Sequence, residues 1–105
     1  MNTSVNKYDA IESLIFNEGL RIQAIDIHQE IDLLLVILNT NAILQQKLSA
    51  YDRLAKATSE QLHNYQFIGE GAGIHWPDID EDLSLKGFLQ NELRMLVGNK
   101  NPKAA

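Results

Sequence analysis

An uninterrupted apolar run, Leu33–Leu38, constrains the fold of this chain more than any other feature. A run of this length suits a central β-strand covered on both faces, and it is too short for a typical helix. Residues 39–42 (Asn-Thr-Asn-Ala) follow and tolerate the left-handed conformations of tight turns. Alternation then resumes, with Leu44, Gln46 and Leu48 on one side of the chain. The pattern predicts an antiparallel hairpin.

Three further segments predict strands. Residues 21–27 alternate in hydropathy, and the polar residues 28–32 that follow are typical of a turn. Residues 65–68 and 74–76 indicate two short extended segments on either side of the glycine-rich residues 69–73. We therefore expect a small antiparallel sheet of three to five strands.

Residues 4–18 predict an amphipathic N-terminal helix. Ser4 or Asn6 is available as its N-cap, and Gly19 is placed to terminate it. Its apolar stripe consists of Tyr8, Ile11, Leu14 and Ile15. This stripe has two candidate partners, the chain's own sheet or a second copy of the chain.

The middle of the chain predicts short helices. Residues 51–56 suit a helical turn. Thr58 and Gln61 have the spacing of a capping box, in which the Thr58 hydroxyl accepts from the Gln61 amide and the Gln61 side chain reaches back. A short helix over residues 59–64 follows from that spacing.

The last predicted element is a helix over residues 85–97. Ser84 or Asp82 is expected as its cap and Gly98 as its terminator. Its apolar stripe is Leu85, Phe88, Leu89, Leu93 and Leu96. Residues 99–105 are polar and contain a proline, and are expected to form a flexible tail.

These elements predict one α+β domain over residues 1–98, with an N-terminal helix, an antiparallel sheet, a short middle helix and a C-terminal helix packed on the sheet. A chain of 105 residues is long enough to build a single core. Cysteine is absent, which excludes disulfides, thiol nucleophiles and cysteine-ligated metals.

Charge and hydropathy narrow the classes of partner and location. The chain has 9 basic and 14 acidic side chains, a formal net charge of −5, which argues against direct nucleic-acid binding. The longest apolar run is far too short to span a bilayer, and the first residues lack the pattern of a secretory signal. A cytoplasmic protein without membrane contacts is the expectation.

Residues 73–82, Gly-Ile-His-Trp-Pro-Asp-Ile-Asp-Glu-Asp, form the most distinctive segment. Together with Ile68-Gly69, Leu83-Ser84 and Gly87, this segment resembles the family of small bacterial proteins called domain of unknown function 2442. The resemblance covers roughly residues 20–89, with residues 1–18 as a helical extension.

The resemblance implies a small α+β fold without an established function. Some members of that family are fused to a helix-turn-helix module or encoded beside another small protein, which implies an antitoxin-like or regulatory role. This chain lacks such a module, and residues 39–41 replace the Asp-Gly turn usual in the family.

Asp78, Asp80 and Asp82 have the spacing of the first three ligands of an EF-hand. The sixth position requires glycine and has Leu83, and the twelfth requires glutamate and has Leu89. The spacing therefore excludes an EF-hand, and we predict neither a metal nor a cofactor.

His75 and Asp78 suggest a base with an orienting carboxylate, but no nucleophile stands beside them. In an extended segment His75 points away from Ile74 and Trp76, which favours a surface or helix-covered histidine satisfied by a hydrogen bond. Trp76 before Pro77 is typical of a core anchor, with an exposed aromatic contact as the alternative.

Helix capping explains one or two of the acids in this segment and leaves the others without a structural role. The sequence thus favours a non-enzymatic protein-interaction module whose partner is another protein with a basic surface, or a second copy of the chain. The candidate binding surface is His75, Trp76, Asp78, Asp80, Glu81 and Asp82. The alternative is a metal-assisted or acid/base hydrolase using His75, Asp78 and Asp80.

Overall fold

The computed structural model describes residues 7–100, without the side chains of the last two. Within this range, six strands and four α-helices are connected by short turns, several of them 3-10. The elements are α1 (Ala10–Phe16), β1 (Ile22–His28), β2 (Leu33–Leu38), β3 (Ile43–Gln46), α2 (Asp52–Ala55), α3 (Ser59–Leu62), β4 (Gln66–Ile68), β5 (Gly73–Trp76), β6 (Glu81–Ser84) and α4 (Leu85–Lys100).

The strands form two antiparallel three-stranded sheets, β1-β2-β3 and β4-β5-β6. The predicted α+β class is confirmed, and the single sheet of the prediction is divided into two. The apolar run Leu33–Leu38 is the central strand of the first sheet, as expected. It is fully buried on one face only, because its alternate residues Leu33, Leu35 and Ile37 are half-buried.

The side chains of the inner faces form one core with residues from the helices. Its members include Ile15 of α1, Leu34 and Val36 of β2, Ile74 and Trp76 of β5, and Leu85 and Phe88 of α4. Trp76 is 0% exposed, and its indole N–H donates to the Leu62 carbonyl at 2.9 Å. Its predicted role as a core anchor is confirmed.

Helix α1 starts at Ala10, with Asp9 as its N-cap. The Asp9 carboxylate accepts from the Glu12 amide at 2.7 Å, and the Glu12 carboxylate accepts from the Asp9 amide at 3.1 Å. The predicted caps Ser4 and Asn6 lie outside the described residues. The helix ends at Phe16, three residues before the left-handed Gly19.

Part of the α1 stripe packs on its own chain, since Ile15 is buried in the core, whereas Tyr8 and Leu14 are exposed. The Lys86 ammonium of α4 lies 3.0 Å from Asp9 and 2.8 Å from Glu12 and ties the starts of α1 and α4 together. The hydrogen bond from Lys86 lowers the pKa of Glu12, and the same contact raises the pKa of Lys86.

The capping box of α3 is confirmed, because the Thr58 hydroxyl accepts from the Gln61 amide and the Gln61 side chain accepts from the Thr58 amide. Ser84 caps α4 by accepting from the Gly87 amide at 2.9 Å. The predicted alternative cap, Asp82, lies in β6.

Helix α4 is longer than predicted and continues through Gly98 to Lys100. Glycine inside a helix costs only about 1 kcal/mol relative to alanine, too little to end a helix by itself. Leu93 and Leu96, predicted on the packed stripe, are exposed because α4 runs beyond the core. Of the predicted tail, residues 101–105 lie outside the described residues.

Among the described residues, no helix has the length and hydropathy that crossing a membrane requires.

Candidate functional site

His75 and Asp82 face each other across β5 and β6. The antiparallel register pairs His75 with Asp82 directly, and the His75 Nδ1 atom lies within hydrogen-bonding distance of the Asp82 carboxylate. Because an ionised carboxylate only accepts, this contact needs a proton on Nδ1. The alternation predicted for His75 is confirmed, since Ile74 and Trp76 point into the core.

The same register defines the outer face of the second sheet. Gln66, His75 and Asp82 form one row across the three strands. Ile68, Gly73 and Ser84 form the neighbouring row. A Cβ added at Gly73 would lie 3.1 Å from the Leu83 carbonyl oxygen and 3.2 Å from Ile68 Cγ1. Glycine therefore keeps the centre of this face low.

An apolar groove lies over that low centre. Phe16, at the end of α1, forms one wall, and Ile68 with Ala72 forms another. The groove has a volume of about 380 Å³ and extends to Asp82 and Ser84. Phe16 and Ile68 remain 49% and 42% exposed. We call this feature the outer groove.

The acids of residues 73–82 do not gather into one cluster. Asp78 accepts from the Asn64 side chain at 2.9 Å, and the backbone carbonyl of Asp80 accepts from Arg53. Glu81 is opposite Trp76 in register, on the other side of β6 from Asp82. Within residues 7–98, no three His, Asp or Glu side chains come close enough to hold a metal ion together.

The predicted pairing of His75 with Asp78 is therefore wrong, because the register of β5 and β6 places His75 opposite Asp82. Ser84 is the hydroxyl nearest in register on that face, and it accepts from the Gly87 amide. No hydrogen bond joins Ser84 to His75 in the described part of the chain. The hydrolytic arrangement of His75, Asp78 and Asp80 is not assembled.

Two further expectations are corrected by the fold. Trp76 cannot belong to a contact surface, because its side chain is completely buried. Asp80, Glu81 and Asp82 do not cap the final helix: Glu81 and Asp82 lie within β6, and Asp80 precedes it.

One known protein family matches most of the chain. The family model described as "Protein of unknown function (DUF2442)" matches residues 24–93. The chain belongs to this family. The match starts inside β1 and ends inside α4, so the DUF2442 region contains the second sheet and all of the first except Ile22 and Gln23, and α1 precedes it.

Two solved structures share the fold of this DUF2442 chain. One is a crystal structure of a protein of unknown function from Rhodospirillum rubrum, with a TM-score of 0.61, 25% sequence identity, and coverage of 70% of this chain and 88% of that one. The other is the solution NMR structure of an uncharacterized protein from Chromobacterium violaceum, with a TM-score of 0.64, 25% identity, and coverage of 88% and 87%. No curated protein matches the chain.

Sequence reasoning missed a second depression of the DUF2442 fold, between β6 and α4. It has a volume of about 430 Å³, and its polar walls are Tyr51, Asp82, Ser84, Gln90, Asn91 and Arg94. We call it the α4 cavity. One signal pointed to it: Gln46 shares the buried side of β3 with Leu44, and a buried amide requires polar partners.

Proposed function

We propose that this DUF2442 chain is a non-enzymatic protein-interaction module whose contact surface is the outer face of the second sheet. The observation that carries the proposal is the outer groove, an exposed apolar depression bordered by Asp82, the partner of His75. An apolar centre with a polar rim is the usual construction of a protein–protein contact.

The charge around this face favours a basic partner. The Asp82 side chain is 67% exposed beside the groove, and Glu70 and Asp80 are also exposed near the ends of β5. The chain as a whole carries a formal charge of −5. Complementary charge speeds association and excludes wrong partners more than it adds affinity. We infer a partner that inserts apolar side chains into the groove and presents lysine or arginine to its rim.

The test compares two matched substitutions. A partner is first purified with the wild-type chain from cells that naturally express it, and binary binding is then measured by calorimetry. Ile68→Asp places a charge in the groove and is expected to weaken binding at least tenfold. Ile43→Asp places the same charge on an exposed isoleucine of the first sheet and should bind like wild type. Equal binding by both variants would contradict the proposed surface.

The hydrolase alternative has lost the geometry on which it was based, since His75, Asp78 and Asp80 have separate contacts. Calorimetric titration with calcium, magnesium, manganese and zinc tests its metal-assisted form. A saturable heat that disappears in Asp78→Asn would restore this alternative.

Self-association is a second candidate, favoured by the end of α4. Leu93, Leu96 and Val97 have helical spacing and are all more than half exposed. They continue the side of the helix whose first two turns are buried in the core. Sedimentation velocity should show a dimer that Leu96→Gln dissociates, whereas Gln90→Glu, also exposed on α4, leaves it intact. A monomer at all concentrations would exclude this candidate.

A further inference from the structure

We propose that the α4 cavity binds a small organic molecule carrying one carboxylate, with Arg94 as its anchoring cation. This site lies beside the proposed protein contact, and the two share Asp82, Leu83 and Ser84 of strand β6. Its volume of about 430 Å³ lies within the range of small-molecule sites.

A buried hydrogen-bond network holds the walls of the cavity in place. The Gln46 side chain is 1% exposed, and its carbonyl oxygen accepts from the Tyr51 hydroxyl at 2.7 Å and from Asn91 Nδ2 at 2.9 Å. Its Nε2 donates to Glu92 at 3.0 Å. A satisfied buried network of this kind fixes its members, so Tyr51 and Asn91 are ordered before a ligand arrives.

Polar groups in the cavity remain available to a ligand. The Tyr51 hydroxyl donates to Gln46, and its oxygen can still accept. Burial raises the pKa of Tyr51, so the phenol stays protonated at neutral pH. The Asn91 side chain also hydrogen-bonds to the Tyr51 hydroxyl, which leaves its carbonyl oxygen for a ligand, and the Ser84 hydroxyl can donate while its oxygen accepts from Gly87.

Arg94 indicates the charge of the ligand. It lines the cavity and, within the described part of the chain, makes neither a hydrogen bond nor an ion pair. A guanidinium binds a carboxylate through two parallel hydrogen bonds. Asp82 lines the same cavity, so the lining has one positive and one negative charge. This balance favours a ligand with a single negative charge over a phosphate or another polyanion.

The remaining walls are apolar. Phe88 and Leu83 line the cavity, and Tyr51 contacts Phe88 edge to face with 5.9 Å between ring centroids. Gly87 adds a wall without a side chain. The ligand therefore has an apolar body next to its carboxylate, and benzoate is the simplest probe of that chemistry.

The experiment follows backbone amides of the full chain by ¹H–¹⁵N NMR during titration with benzoate, benzamide and inorganic phosphate. We expect benzoate to shift the amides of Gly87, Asn91 and Arg94 saturably, with a dissociation constant on the order of 1 mM for so small a ligand. Benzamide, which keeps the ring and lacks the charge, should bind at least tenfold more weakly, and phosphate should not saturate.

Arg94→Gln should weaken benzoate binding at least tenfold and leave benzamide unaffected. Lys56→Gln makes the same change in net charge outside the cavity and should bind benzoate like wild type. Arg94 is exposed, so both variants are expected to fold, and their thermal unfolding confirms it. The proposal is overturned by the absence of saturable shifts, by equal binding of benzoate and benzamide, by equal binding of phosphate, or by undiminished benzoate binding in Arg94→Gln.

Discussion

The two sheets have the same strand order and direction, yet their outer faces differ. On the first sheet the central strand directs Leu33, Leu35 and Ile37 outward, whereas on the second sheet it directs Gly73 and His75 outward. Their inner faces are alike, since both central strands bury large apolar side chains. Folding requires the two inner faces equally, so the chemistry that distinguishes the sheets lies on the outer faces.

Each sheet contains the same kind of turn, so the turn conformation alone does not explain why the two outer faces differ. Asp32 and Asp80 each follow a 3-10 turn and adopt left-handed φ values of 56° and 51°. The Asp32 carboxylate accepts from the amide and the hydroxyl of Ser49, at 2.8 and 2.5 Å. At Asp80 the backbone carbonyl accepts from Arg53 instead. The first sheet therefore uses its turn carboxylate to bind the following segment.

The largest expected effect is on the free energy of unfolding, because the inner faces of both sheets bury large apolar side chains. Trp76→Ala and Leu34→Ala each remove a completely buried side chain, and should lower the free energy of unfolding by about 3–5 and 2–5 kcal/mol respectively. Urea denaturation followed by circular dichroism measures both. A loss below about 1 kcal/mol in Trp76→Ala would show that the second sheet contributes little to the common core.

The next largest effect on stability is expected at Gly73, in the low centre of the outer face of the second sheet. Gly73→Ala places a methyl group 3.1 Å from the Leu83 carbonyl and should destabilise the fold by about 1–3 kcal/mol through overpacking. Gly98→Ala is the matched control. Nothing lies within 4 Å of its added Cβ, so it should stabilise α4 by up to about 1 kcal/mol. The same urea experiment compares them, and equal changes in the two variants would argue against a crowded Gly73.

The turn of the first sheet predicts a dependence on pH. The Ser49 hydroxyl, and then its amide, lower the pKa of Asp32 below its ordinary value. The folded state therefore binds this proton less readily than the unfolded state. The resulting stabilisation is complete above about pH 4 and is lost as the pH falls through the lowered pKa.

Asp32→Asn keeps a side chain that tolerates the left-handed turn, so it isolates the charge. Its unfolding free energy should lie below that of wild type near neutral pH, and the gap should close in acid. In a Ser49→Ala background the gap near neutral pH should shrink, since the Ser49 hydroxyl is removed. A gap of constant size between pH 6 and 3 would contradict the role assigned to Ser49.

Local signals predicted much of the fold. The apolar run predicted β2, and the pairing of Thr58 with Gln61 predicted the start of α3, because both depend on residues close in sequence. Strand β6 was missed because Leu83 is its only apolar residue, and its pairing with β5 follows a left-handed turn at Asp80. An edge strand with so little periodicity is defined by its partner strand.

The site depended still more on distant residues. His75 was predicted on the correct face, but its carboxylate partner depends on strand register, which selects Asp82 over the nearer Asp78. At the α4 cavity, Tyr51 and Asn91, which are far apart in sequence, both donate to the Gln46 side chain. Only the buried polar position of Gln46 pointed to that arrangement.

Each outer face has a His–Asp pair, and comparing the pairs gives the smallest effect. His28 and Asp26 lie on one strand, 3.1 Å apart, whereas His75 and Asp82 lie on different strands. Exposed pairs contribute about 0.2–1 kcal/mol. Double-mutant cycles with His→Gln and Asp→Asn should therefore find small coupling energies at both sites.

If the second outer face is the contact surface, His75→Gln weakens partner binding whereas His28→Gln leaves it unchanged. If His75→Gln and His28→Gln bind the partner equally, the difference between the two outer faces does not determine partner recognition.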